Sequence, residues 1–129
     1  MIAFEYKINP ERKVALLTFC GSITGAELAE ATKALYHDEA WQYGFNAIWD
    51  FSRITELLLE FSDFQGLAAL DREYVEIAGP GLDVFIVVRQ LDHAMRQTHM
   101  VLAKQAPRQS HVCHSWSEAW ALLGQESLA

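Results

Sequence analysis

The sequence predicts an α/β domain with a mixed, mostly parallel five-stranded sheet and about four helices. Two short apolar runs, at residues 47–49 and 82–88, indicate strands that are buried on both faces of a sheet. Segments whose apolar residues recur at helical spacing lie between and after these runs. Two further strand-like segments around a short turn open the chain and predict an antiparallel hairpin.

The opening hairpin follows from alternation and turn chemistry. Phe4, Tyr6 and Ile8 fall on one face of an extended segment and charged residues on the other, which predicts a strand with one face in water. A turn containing proline follows, and proline is favoured early in such turns. A second, more apolar strand is predicted over residues 14–20, with Gly21 closing it.

Hydroxyl residues followed three positions later by an acid or an amide mark three predicted helix starts. The pairs are Thr24 with Glu27, Ser62 with Gln65, and Ser115 with Glu118. The first helix is predicted to reach about Tyr36. The second is predicted to reach about Ala78, before a break at residues 79–81. Asp92 can cap a further helix, which Pro107 ends.

The predicted order of elements is therefore ββαβαβαβα. Strands that alternate with helices imply parallel pairing through right-handed crossovers, so the first strand is expected to be the antiparallel one. A short strand over residues 110–113 completes the sheet. The length of 129 residues fits one domain, with residues 125–129 as a tail.

Composition and charge argue against several classes of function. Hydrophobic residues make up 51% of the chain, so disorder is not expected. The net charge of -7 and the scattered basic residues argue against nucleic-acid binding, which needs clustered Lys and Arg. The apolar runs are far shorter than the ~20 residues of a membrane span, and the first residues show no signal-peptide pattern. We expect a soluble cytoplasmic protein with two buried thiols, Cys20 and Cys113.

Several of these features together resemble the STAS-like superfamily. They are the opening hairpin, Gly21 with Thr24 at the first helix, the strand ending in Trp49-Asp50, and the last helical segment over residues 118–123. Within that superfamily the chain is most similar to the branch related to sporulation anti-sigma-factor antagonists. The resemblance covers nearly the whole chain. It implies a small α/β domain with helices packed on a mixed sheet, a scaffold related to that of the CRAL-TRIO lipid carriers.

In the antagonists, a partner kinase phosphorylates a serine at the start of the helix after the middle strand, within an Asp-Ser-Ser/Thr-Gly context. Ser62 is the nearest match in this chain, and Asp63-Phe64-Gln65-Gly66 follows it. The Asp thus lies after the serine, the second hydroxyl is absent and the Gly is displaced. Phosphate at Ser62 would meet a favourable helix dipole. The alternative is that Ser62 is an ordinary helix cap.

Polar residues after the two central strands form one candidate site. Asp50 and Ser52 follow the first strand, and Arg89 follows the second. In open α/β sheets ligands bind at the carboxyl ends of the strands, so these side chains are candidates for contacts to a ligand or a partner. The alternative is an ion pair or a cap at the rim of the sheet.

Three consecutive leucines, Leu57, Leu58 and Leu59, precede Phe61 in the least regular part of the sequence. If it is exposed, this segment is an apolar surface for a partner protein, a second copy or a lipid-like ligand. If it folds onto the core, it is a flap or a short extra strand.

The sequence shows no catalytic or metal-binding pattern. His111 and Cys113 share one face of the last strand and His114 points away, which leaves too few ligands for zinc. As neighbours on a strand, Cys113 and His114 diverge and do not form a nucleophile and its base. Nucleotide-binding and hydrolase motifs are absent. We therefore predict no catalytic residue, no metal and no cofactor.

The sequence favours a non-enzymatic interaction or regulatory module of the STAS-like kind. It would bind a protein partner or a second copy through the region after Asp50, including the start of the Ser62 helix. The alternative is a carrier or sensor of a small apolar ligand held between helices and sheet. That pocket would be lined by Phe64, Leu67, Met95 and His99. An enzyme is a third alternative, which a cleft with convergent ionisable groups would support.

Overall fold

A computed structural model describes residues 4–87 and 108–124. The strands are β1 (Phe4–Asn9), β2 (Val14–Thr24), β3 (Asn46–Leu58), β4 (Gly81–Ile86) and β5 (Arg108–Cys113). The helices are α1 (Gly25–His37), α2 (Phe61–Glu73), α3 (Val75–Ala78) and α4 (Trp116–Leu122). None of these helices is long and apolar enough to cross a membrane. The helix predicted after Asp92 lies outside the described residues, as do Arg89, Met95 and His99.

The sheet confirms the predicted fold class. Its strands lie side by side in the order β1-β2-β3-β4-β5, with β1 antiparallel to β2 and the other neighbours parallel. In the hairpin, Phe4 is opposite Phe19 and Asn9 is opposite Val14. Helices follow β2, β3 and β5, as the alternation of the sequence predicts.

Each face of the sheet is covered by its own helices. α1 and α2 pack on one face, over a cluster that includes Leu17 and Trp49. α4 packs on the opposite face, over Ile48 and Val84. Successive residues of a strand point to opposite faces, so the neighbours Ile48 and Trp49 belong to different clusters. Burying one such apolar side chain contributes roughly 1.5–3 kcal/mol. The prediction that the central strands are buried on both faces is confirmed.

Two of the three predicted helix starts are confirmed. At α1, the backbone N of Glu27 donates to Thr24 Oγ1 over 3.2 Å, and the backbone N of Thr24 donates to Glu27 Oε1 over 3.0 Å. At α4, the backbone N of Glu118 donates to Ser115 Oγ over 3.1 Å. These bonds satisfy donors that the first turn of a helix leaves unpaired, and each cap is worth roughly 1 kcal/mol.

The third predicted helix start is wrong. α2 begins at Phe61 with Glu60 as its N-cap, and Ser62 lies exposed inside the first turn. The backbone N of Glu60 donates to Asp63 Oδ2 over 2.7 Å. Asp63 therefore supplies the acceptor that Gln65 was predicted to supply, and a carboxylate in the first turn is favoured by the helix dipole.

The end of the first central strand is also predicted wrongly, because Asp50 lies inside β3. The strand continues to Leu58, since β2 itself continues past Gly21 and pairs with it as far as Thr24. The register shifts twice along this stretch, so β3 carries an extra residue after Asp50 and another after Ile54.

The two bulges explain why this part of the sequence looks irregular. Phe51, Ile54 and Leu57 all contact the larger core cluster, at a spacing of three residues. Side chains on the same face recur every two residues in a regular strand and every 3.6 residues in a helix. Each bulge adds one residue, so the spacing on one face of the strand becomes three residues there. The apolar pattern of β3 therefore matches neither period.

One of the two thiols predicted to be buried is exposed. Cys113 is buried at the end of β5, but Cys20 is exposed. Its neighbour Phe19 is buried in the larger cluster. Strand alternation turns Cys20 to the opposite side of β2, where it reaches solvent.

Candidate functional site

A partly enclosed cavity lies between α1, α2 and α3 on one side and the sheet on the other. Its volume is about 60 Å³, several times the roughly 10–15 Å³ that one water molecule requires. Its apolar wall is formed by Leu28, Tyr36, Trp49, Phe51, Leu57, Leu59, Leu67, Val75, Ala78 and Phe85. Its polar part is formed by Thr32, Asp71, Asp83, Arg108 and Ser110. Apolar walls with a few converging polar groups are typical of small-molecule sites.

Packed aromatic rings form the sheet side of the cavity. The Trp49 ring lies 5.9 Å from the Phe85 ring at an angle of 22°, and the Phe51 ring lies 5.9 Å from the Phe85 ring at 4°. The indole Nε1 of Trp49 donates to Asp83 Oδ1 over 3.1 Å, which fixes the orientation of the indole. Ring faces of this kind suit both apolar groups and cations.

The three consecutive leucines were predicted either to fold onto the core or to form an exposed apolar surface, and the structure shows both. Leu57 and Leu59 line the cavity and pack against the larger core cluster. Leu58 is 49% exposed, and Phe61 at the start of α2 is 76% exposed. The extended backbone explains the division, because successive residues of an extended chain point to opposite sides.

The polar end of the cavity contains a buried ion pair. Arg108 Nε donates to Asp83 Oδ2 over 2.7 Å, and Nη2 donates to Asp83 Oδ1 over 3.2 Å. Nη1 also donates to the carbonyls of Ala78 and Gly79, and Nη2 to that of Leu82. A guanidinium has five N–H donors, so every donor of Arg108 has an acceptor within the protein.

The ion pair ties several parts of the fold together. Asp83 comes from β4 and Arg108 from β5, and the carbonyl acceptors come from the end of α3, from Gly79 and from β4. The guanidinium also lies 5.6 Å from the centre of the Trp41 ring, which adds a cation–π contact. The side chain of Arg108 is only 10% exposed and that of Asp83 only 14%. Removing either one would leave the other charge buried without a counter-charge.

Asp71 on α2 is the third charged group of the cavity. Burial, and then the negative charge of Asp83, raise the pKa of its carboxyl from 3.8 to about 7, against the opposing effect of Arg108 and Arg72. In the described part of the chain, the hydrogen bonds of the cavity's charged end go to Asp83 and not to Asp71. Asp71 therefore changes its charge near neutral pH.

The raised pKa of Asp71 makes folding stability depend on pH. Between about pH 4 and pH 7 the folded protein holds a proton that the unfolded chain releases, so the free energy of unfolding falls as the pH rises through this window. We expect Asp71→Asn to lack this fall, which amounts to about 1–3 kcal/mol after solvent screening. Urea unfolding of both proteins across the window measures it. A stability difference that stays constant with pH would contradict the assignment.

Asp50 is not among the residues that line the cavity. It is 4% exposed, and its two carboxylate oxygens accept from Trp116 Nε1 over 3.1 Å and from the backbone N of Ser52 over 2.9 Å. The carboxylate therefore joins β3 to α4, on the opposite side of the sheet from the cavity. Ser52 itself is exposed, and Arg89 lies outside the described residues.

The other predicted residues are dispersed. Ser62 is exposed beside a shallow groove between α1 and α2. Of the pocket residues predicted from the sequence, Leu67 lines the cavity, whereas Phe64 is half-buried on α2 outside its wall. Within residues 4–87 and 108–124, no three His, Cys, Asp or Glu side chains come together as a metal site.

Sequence reasoning missed Asp71, Asp83 and Arg108, although the two acids carried a signal. Asp71 comes four residues after Leu67 and three before Tyr74, so it falls on the buried stripe of α2. Asp83 interrupts the apolar run of β4. A carboxylate on a buried surface requires a partner, and this requirement points to a basic residue such as Arg108.

Comparisons with known proteins give no family assignment. No protein-family model matches the chain, and no curated protein matches it in sequence. The functional interpretation therefore depends on the geometry of the cavity.

Proposed function

We propose that this protein binds a small, predominantly apolar molecule in the cavity between its helices and its sheet. The cavity is the observation that carries the proposal, because aromatic and leucine side chains form its walls and a few charged groups lie at one end. Protein interiors are normally packed with few voids larger than a water molecule. A ligand that fits this space would add contacts to the side chains that line it.

On this proposal the protein is a carrier or sensor in the cytoplasm and not an enzyme. The STAS-like resemblance is consistent with this role, because CRAL-TRIO lipid carriers have a related scaffold. The charged end of the cavity would orient a ligand without transforming it, since the polar atoms of Asp83 and Arg108 are held by each other and by the fold.

Filling part of the cavity should weaken binding. We expect Leu59→Trp, which adds a ring to the cavity wall, to lower the affinity for the neutral compound 2-phenylethanol by about ten-fold or more, as measured by titration calorimetry. Native mass spectrometry of the freshly purified wild type should show a co-purified small molecule that Leu59→Trp lacks.

Leu58→Asp is the matched control, because Leu58 precedes Leu59 in the chain and points to solvent. It should bind 2-phenylethanol as the wild type does. Circular dichroism checks that Leu59→Trp is folded. If the folded variant binds 2-phenylethanol with wild-type affinity, the cavity is not the binding site.

A second candidate function is the binding of a protein partner or a second copy. Leu58 at the end of β3 and Phe61 at the start of α2 are two large apolar side chains that are exposed and three residues apart in the chain. Exposed apolar side chains that cluster in this way mark interaction surfaces. Ser62 in the same turn would be the site at which phosphorylation controls the contact. If neither Leu58→Asp nor Ser62→Asp changes self-association or partner capture, this second function is wrong.

A further inference from the structure

We infer that the cavity selects a ligand that carries a basic amine on an apolar body, with the positive charge of the amine against Asp71. This inference rests on the proposed ligand-binding function and adds the chemical class of the ligand. It follows from which charged side chains of the cavity already have partners within the protein.

Arg108 is not available to an anionic ligand. Its donors are taken by Asp83 and by three backbone carbonyls. A ligand carboxylate or phosphate would have to displace these acceptors at a largely buried guanidinium, and each unmade bond there would be costly. Asp83 is satisfied as well, because both of its oxygens accept from Arg108 and one also accepts from Trp49 Nε1. The pair is neutral as a unit and offers a ligand no free charge.

Among the described residues that line the cavity, Asp71 is the charged group that has no such partner. Three charged groups act on it electrostatically: Asp83 from β4, Arg108 from β5 and Arg72 from its own helix. The neutral hydroxyl group of Tyr36 on α1 belongs to a side chain that lines the same cavity. When ionised, the three charged side chains that line the cavity within residues 4–87 and 108–124 sum to one negative charge, from two carboxylates and one guanidinium. A cation beside Asp71 would neutralise that charge, whereas an anion would add to it.

The walls of the cavity and the charge of the whole protein favour the same class of ligand. Trp49, Phe51 and Phe85 line the sheet side of the cavity with aromatic rings, which attract cations as well as apolar groups. The net charge of -7 draws cations towards the protein and repels anions. An amine on an apolar body is suited to both the walls and the charged end.

Three compounds with the same apolar body test the inference: 2-phenylethylamine, 2-phenylethanol and phenylacetate. They are cationic, neutral and anionic at pH 8. We expect titration calorimetry at this pH to show the amine binding about ten-fold or more tightly than the alcohol, with phenylacetate weakest. Lowering the pH from 8 to 6 protonates Asp71, whose pKa lies at about 7. This change should lower the affinity for the amine about ten-fold and leave the affinity for the alcohol unchanged.

Asp71→Asn keeps the shape of the side chain and removes its charge. It should reduce the affinity for the amine to that for the alcohol and abolish the pH dependence. The pH dependence of the wild type is a second readout that does not need the variant to fold. Equal affinities for amine and alcohol in the wild type, or tighter binding of phenylacetate, would overturn the amine assignment and leave an apolar-ligand site. If none of the three compounds binds, the proposed function falls together with the inference.

Discussion

Arg108→Met should lower the free energy of unfolding by about 3–5 kcal/mol. Methionine retains an unbranched stem but no charge, so the Asp83 carboxylate would stay buried without its counter-charge and close to a second acid, Asp71. The carbonyls of Ala78, Gly79 and Leu82 would also lose the hydrogen bonds from the guanidinium. Removing one member of a buried ion pair is costly mainly because of the charge that is left behind.

Chemical denaturation with urea measures this loss, and two further variants make the result specific. Arg72→Met removes an exposed arginine of α2 and should change stability by no more than about 0.5 kcal/mol. The double variant Asp83→Asn, Arg108→Met should recover part of the loss, because the amide carries no charge and still accepts from Trp49 Nε1. A loss in Arg108→Met as small as that of Arg72→Met would mean that the pair is not buried in solution.

Gly79→Ala should cost about 3 kcal/mol or more. Gly79 has φ 70° and ψ -175°, a backbone conformation that is essentially restricted to glycine. An added Cβ would lie 2.7 Å from the backbone N of Gly44 and 2.7 Å from the Tyr43 ring. The loop cannot move aside freely, because the backbone N of Gly44 donates to the carbonyl of Ala78 over 2.9 Å.

Gly66→Ala is the control for this prediction, and its expected effect has the opposite sign. Gly66 is exposed on α2, where an added Cβ meets nothing within 4 Å. Alanine at such a position should stabilise the protein by about 0.5–1 kcal/mol, since it loses less backbone entropy on folding than glycine does. Thermal unfolding of the two variants compares them directly. A Gly79→Ala protein as stable as the wild type would show that the turn has another conformation.

The elements that the sequence predicted correctly are those with local signals. Thr24 and Ser115 begin their helices because each side chain accepts from a backbone N–H three residues further along. The apolar runs around Ile48 and Ile86 form central strands because they are long enough for a strand and too short for an independent helix. A few neighbouring residues determine each of these outcomes.

The length of β3 could not be predicted in the same way. Its continuation to Leu58 depends on pairing with residues of β2 more than 30 positions earlier, and the bulges that accompany the pairing distort the strand repeat. Helix α2 began earlier than predicted for a related reason. The local sequence suits Ser62 as the N-cap, but the path of the chain after β3 makes Glu60 the N-cap, with Asp63 accepting from its backbone N.

By itself the sequence determined the α/β class, the antiparallel hairpin and the two buried central strands, because these depend on periodicity within short windows. The single helix predicted to reach Ala78 is divided into α2 and α3. Only the tertiary structure decided the candidate site. Asp83 and Arg108 are 25 residues apart, and they meet because β4 and β5 lie side by side. The cavity lies between α1, α2 and α3 and the sheet, so it depends on how these elements pack together and not on any local pattern of residues.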